Sequence, residues 1–128
     1  MRLALDLDGT ITRCPALFSI LSKAFRAAEH AVFVITFRAD RGFAEEDLDG
    51  FDIVYDELIL PDAASLAYDA AHWRTTAAEW KVRECRRLGI DIVFDDMVEV
   101  VNALAGQVAT VLMVHSQDGQ LRIGPRTT

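Results

Sequence analysis

An aspartate at residue 6 is followed by a second at residue 8 and then by Gly9-Thr10, closing an apolar run that starts at Leu3. On an extended chain, residues two apart project from the same side of the pleat, so Asp6 and Asp8 present their carboxylates together. Far downstream another apolar run, Ile90–Phe94, leads into Asp95-Asp96. Gathered at one edge of a sheet, these four carboxylates repel one another strongly and require a cation. Hard oxygen donors without His or Cys select magnesium over zinc, and magnesium held by carboxylates commonly works on phosphate. Thr36, at the end of a third apolar run, offers a hydroxyl and a backbone amide, and Lys81 a positive charge for a phosphate oxygen. Paired acids at strand ends are often only solvated turn residues. The full string Asp-x-Asp-Gly-Thr is rarer, with chance odds on the order of one in a thousand for a chain of this length.

Bringing these residues together takes strands that all end on one side of a sheet. Leu3–Leu7 reads as a strand stopped by the turn signal Asp8-Gly9-Thr10. Pro15 suits a first helical position, and Leu17, Ile20, Leu21, Ala24, Phe25 and Ala28 recur at helical spacing. Ala31–Thr36 is apolar on both faces, as a buried parallel strand is. Arg41–Leu48 predicts a short helix and Ile53–Leu60 a third strand, stopped by Pro61. The alanines between Pro61 and Trp73 favour a helix. Thr76-Ala77-Ala78-Glu79 has the form of a capping box, opening a helix that runs to Leu88 and stops at Gly89. Ile90–Phe94 is the fourth strand, Met97–Ala105 a helix and Val108–Val114 the fifth strand.

Strands alternating with helices predict an α/β domain: a three-layer, Rossmann-like fold with a central, mainly parallel five-stranded sheet. Residues 1–114 form its core. Residues 115–128, with Asp118-Gly119 and Gly124-Pro125, are a turn-rich tail of the same domain that reads as a small hairpin. Ligands bind such sheets at the carboxyl ends of strands, near the switch in strand order. That edge carries Asp6, Asp8, Thr36, Asp95 and Asp96.

Bulk properties narrow the field. With 128 residues, 52% of them hydrophobic and 26% charged, the chain is one ordinary globular domain, and disorder and collagen-like repeats are excluded. Its longest apolar stretch, Ala31–Ile35, is far too short to span a bilayer, and Asp6 comes too early for a signal peptide. No membrane partner and a cytoplasmic location are the expectation. A formal net charge of −7 argues against a protein held on nucleic acid by phosphate neutralisation. Cys14 and Cys85 lack the spacing of a zinc site and read as reduced, partly buried thiols.

The string Leu3-Ala4-Leu5-Asp6-Leu7-Asp8-Gly9-Thr10 resembles the first signature motif of the haloacid dehalogenase (HAD) superfamily. Val34-Ile35-Thr36 resembles its second motif, Lys81 its third and Val93-Phe94-Asp95-Asp96 its fourth, so the likeness covers the whole core. The only other lysine, Lys23, precedes the second motif. The resemblance implies a HAD-like phosphatase with Asp6 as nucleophile, forming an aspartyl-phosphate. Asp8 would protonate the leaving oxygen and then activate water, with Thr36 and Lys81 binding the phosphoryl oxygens. Mg2+ would be held by Asp6, the Asp8 carbonyl and one of the two acids of the fourth motif. Asp96 is the expected direct ligand, with Asp95 behind it or as an alternative. Gly9 and Thr10 would adjoin the substrate. True dehalogenases usually lack the acid found here at residue 8. The segments between Thr10 and Thr36 and between Thr36 and Lys81 are filled by the elements named above, which leaves no room for a cap domain. The site is expected to be open, a form that a second subunit of a homo-oligomer can cover.

A narrower likeness links Thr36-Phe37-Arg38 and Phe94–Val101 to the phosphatase domain of polynucleotide kinase-phosphatases. Phe37 stands where that pattern has Gly, and Met97 where it has a basic residue. Arg38 could reach a substrate phosphate or form a surface pair near Asp40. The stretch Asp40–Glu57 holds eight acids and one base, and on the rim of the site it would repel a long polyanion. A small phosphorylated substrate is therefore expected over a nucleic-acid end. A polynucleotide-end phosphatase and a catalytically silent HAD-like binding module are the alternatives; a phosphoacceptor receiver domain would carry its aspartate centrally. His30, His72 and His115 read as structural, and Trp73 and Trp80 as core residues.

Overall fold

The computed structural model describes residues 1–115 and 121–125. Strands β1 (Arg2–Leu5), β2 (Ala31–Ile35), β3 (Glu57–Ile59), β4 (Ile92–Asp95), β5 (Ala109–His115) and β6 (Leu121–Pro125) form one sheet in the order β3-β2-β1-β4-β5-β6. The first five are parallel, and β6 returns antiparallel to β5. The helices are α1 (Pro15–Ala27), α2 (Arg41–Gly50), α3 (Trp73–Arg87) and α4 (Val98–Leu104). None is long and apolar enough to cross a membrane.

Alternation along the strands divides the core in two. Leu3, Leu5, Val32 and Val34 face α1 and α2, where Phe18, Ala44 and Leu48 are fully buried. Ala4, Phe33, Ile35 and Val93 face α3 and α4, meeting Ala77, Trp80, Val100 and Leu104. This is the three-layer α/β architecture expected of parallel strands with no wet face. The chain winds outward from β1 through β2 to β3 with α1 and α2 on one face. It then crosses to the other face with α3 and enters β4 on the far side of β1. The switch in strand order thus falls between β1 and β4, where a crevice opens at the strands' carboxyl ends.

Four expectations are corrected locally. The third strand is only Glu57–Ile59, because the chain first tucks Asp56 under β2, where its carboxylate and amide bond the amide and carbonyl of Val32 at 2.7 Å each. No helix forms from Pro61 to Tyr68. Asp62 captures the amide of Ser65 (2.8 Å), and its carbonyl accepts from Leu66 (3.2 Å), so the backbone closes an isolated turn. Asp69 then caps a single 3₁₀ turn, Ala70–His72, and α3 starts at Trp73. Thr76 and Glu79 consequently lie inside α3 and form no capping box. Finally, the tail pairs as a hairpin with Gly124-Pro125 in β6 rather than in a turn; Asp118-Gly119 lie outside the described residues.

β3 is one edge of the sheet and β6 the other. The Arg41 guanidinium donates to the Leu58 carbonyl at 3.0 Å, on the β3 edge. Cys85 is buried and Cys14 half-buried, both as free thiols; burial pushes the Cys85 thiol up to about 12, leaving it inert.

Candidate active site

The loop after β1 is built to turn two acids toward the crevice. Asp6 continues the extended chain (φ −77°, ψ 149°), and its amide still donates to the Phe94 carbonyl at 3.0 Å, tying it to β4 across the switch. Asp8 is also extended (φ −75°, ψ 122°), and Gly9 then reverses the chain at φ +82°. Wide hydrogen bonds from Ile11 to the Asp6 carbonyl (3.3 Å) and from Thr12 to that of Leu7 (3.1 Å) close the loop, anchored by buried Leu7 and Ile11. Gly9 is favoured by its backbone, and a side chain there would also displace Asp96. Its φ suits glycine, and a Cβ there would lie 2.1 Å from Oδ2 of Asp96.

Lys81 rises from the buried face of α3 and ends between two carboxylates, 2.7 Å from Oδ1 of Asp6 and 3.0 Å from Oδ2 of Asp95. All three groups are almost wholly buried. The other oxygens are also engaged. Thr10 donates to Oδ2 of Asp6 at 3.3 Å, and the Met97 amide to Oδ1 of Asp95 at 2.8 Å. Burial pushes the Asp6 carboxyl up to about 7 and that of Asp95 to about 6, outweighing the attraction of Lys81. Burial alone would lower the Lys81 ammonium; the two carboxylates reverse this and raise it. Two acids against one base leave the pocket short of positive charge.

A cavity of about 240 Å³ opens above this group, lined by Asp6, Asp8, Gly9, Thr36, Phe37, Trp73, Arg74, Ala77, Lys81, Asp96 and Met97. It joins the sequence-derived candidates Asp6, Asp8, Gly9, Thr36, Lys81 and Asp96. Of the adjacent acids, Asp96 lines the cavity, beside Asp6, while Asp95 is buried behind it on Lys81. Thr10 is fully buried and touches Asp6 rather than the cavity. Thr36 Oγ1 is buried without a hydrogen-bond partner among the described residues, at the cavity wall. Such an oxygen is costly to the fold unless a ligand uses it. Thr36→Val is therefore expected to leave Tm unchanged or raise it by a few degrees, which a melting curve checks.

Three expectations about the surroundings change. Arg38 pairs neither with Asp40 nor with the cavity. Its Nε and Nη2 clasp Asp8 at 2.8 and 2.6 Å, and its Nη1 holds Asp47 of α2 at 2.7 Å. Asp40 instead caps α2, accepting from the Phe43 amide at 3.0 Å. The acid-rich stretch is not all on the rim, because α2 carries the chain back to the opposite end of the sheet. There Asp52 pairs with Lys23 and Asp56 with Arg26 on α1. Trp80 is core as expected, but Trp73 is 43% exposed at the cavity mouth. The start of α3, four residues earlier than its capping pattern suggests, puts Trp73 there.

Three carboxylate oxygens, one each from Asp6, Asp95 and Asp96, lie within 4.8 Å of one another. The carboxylate of Asp8 stands apart from that group, on Arg38. Compared with known proteins, the chain matches no family model and no curated protein.

Proposed function

We propose that this protein is a magnesium-dependent phosphomonoesterase of the HAD type, working through an aspartyl-phosphate on Asp6. The observation that carries the reading is one cavity lined jointly by Asp6, Asp8, Thr36 and Lys81, residues spread over the chain from β1 to α3. In this reading the phosphoryl oxygens face the Lys81 ammonium and the Thr36 hydroxyl, which thereby gains a partner. An oxygen of Asp6 attacks phosphorus as the ester P–O bond breaks. Asp8, turned from Arg38 into the cavity that it already lines, gives its proton to the departing alkoxide. It then takes a proton from water, whose oxygen attacks the phosphorus and frees Asp6 with orthophosphate.

The donor set fits magnesium: oxygens only, from carboxylates close enough to share one ion, in a pocket short of positive charge. Asp6, Asp96 and the Asp8 carbonyl would hold it, with Asp95 kept on Lys81. When bound, the ion supplies charge that offsets the phosphoryl oxygens.

Phosphate release from a panel of monoesters tests the reading. Activity is expected to need magnesium, to stop with a chelator and to return when the ion is added back. Asp96→Asn should raise the magnesium concentration for half-maximal activity more than Asp95→Asn does; the reverse order would show the two acids wrongly assigned. A nucleoside monophosphate should be preferred to a 3′-phosphorylated oligonucleotide, because the cavity is small and its surroundings offer a strand little free positive charge. An oligonucleotide preference that fades as salt rises would favour a polynucleotide-end phosphatase instead.

A further inference from the structure

The cavity has two unlike parts. Asp6, Thr36 and Lys81 supply charge and hydrogen bonds, whereas Phe37 and Trp73 supply aromatic surface. Other large apolar side chains, such as Ile20 and Phe43, are more exposed than Trp73, which is ordinary for a small protein. Trp73 differs because it lines the same cavity as the buried acid and base. It is also held in place. The Arg74 guanidinium lies 5.4 Å from the indole centroid and is itself fork-bonded to Glu99 at 3.1 and 3.0 Å. Phe37 is backed by Tyr68 and Trp80, with ring centroids 5.5 and 5.6 Å away. A charged pocket beside fixed aromatic surface matches a ligand with a phosphate and a flat ring. The volume of about 240 Å³ suits a compact one.

We infer that Trp73 and Phe37 form a subsite for a planar aromatic ring in the alcohol part of the phosphomonoester. This deepens the phosphatase reading and rests on it. Stacking of such a ring contributes about tenfold or more in affinity per ring. The ring could be a phenol esterified directly or a nucleobase one sugar away, and the same experiment separates these sources.

The test compares kcat/KM for wild type, Trp73→Ala and Trp73→Phe on phenyl phosphate, adenosine 5′-monophosphate and glycerol phosphate. Taking the ratio of wild type to variant for each substrate cancels differences in leaving-group reactivity. Trp73→Ala is expected to lower kcat/KM about tenfold on a ring-bearing substrate and less than about twofold on glycerol phosphate, with Trp73→Phe recovering most of the loss. A loss confined to phenyl phosphate identifies an aryl ester, and one confined to the nucleotide a nucleoside. Equal effects on all three substrates, or none, overturn the inference while leaving the phosphatase reading in place. Binding is read separately from tryptophan emission as adenosine 5′-monophosphate is added to chelated wild-type protein, with Trp73→Phe as the control reporting Trp80 alone. Saturable quenching in wild type only, without hydrolysis of any ester, would uphold the ring subsite and sink the phosphatase reading.

Discussion

Asp6→Asn is expected to lower magnesium-supported hydrolysis of phenyl phosphate by at least about a thousandfold, about 4 kcal/mol of lost transition-state stabilisation. The amide keeps the shape of the side chain but has no oxygen able to attack phosphorus. The fold should tolerate it well. Burial already raises the Asp6 carboxyl to about 7, so the site favours a neutral group there, and Lys81 keeps Asp95 as a partner. A phosphate-release assay and a thermal melt on the same preparation check both halves. Turnover within tenfold of wild type would rule out covalent catalysis by Asp6. Asp8→Asn should differ in kind, being severe for an alkyl ester and milder for p-nitrophenyl phosphate, whose leaving group needs no proton.

Lys81→Met is expected to destabilise the protein by about 3–5 kcal/mol at neutral pH, the range for removing one partner from a buried ionic group. Asp6 and Asp95 would then face each other without the ammonium that both contact. The pH dependence follows from the direction of the carboxyl shifts. Both are already raised in the fold, and loss of Lys81 raises them further. A carboxyl with a raised folded pKa is harmless while protonated in both states and costs stability as pH climbs past its unfolded value near 4. The variant should therefore come closest to wild type near pH 4–5 and fall furthest behind at pH 8. Urea unfolding at the two pH values measures this. An equal deficit at both would mean that lost packing, and not charge, is responsible.

The strand ends were legible because their signals are local. Apolar runs that stop at Asp6, Thr36 and Asp95 announce parallel strands, and the rule for such sheets puts those residues at one edge. Lys81 was reachable as the lysine following the second motif. The turn between Pro61 and His72 was not. Its alanines favour helix, yet Asp62 and Asp69 hold nearby amides in turns instead, a competition that composition does not resolve. That same misplaced helix start hid Trp73, whose position depends on the 3₁₀ turn before it. The partners of Arg38 were equally hidden, since Asp8 and Asp47 come near it only through the packing of α2 beside the loop after β1.

The brevity of β3 has a consequence for how the molecule behaves in a crowd of its own kind. An exposed sheet edge is a template on which a neighbouring chain can add a strand, the first step towards fibrillar aggregates. Here that template spans only Glu57–Ile59, with Pro61 close behind to halt any extension, and Arg41 already occupies the Leu58 carbonyl. A newcomer would have to displace a guanidinium to gain one or two backbone bonds. Sheet-to-sheet growth from one copy to the next is thus disfavoured along β3.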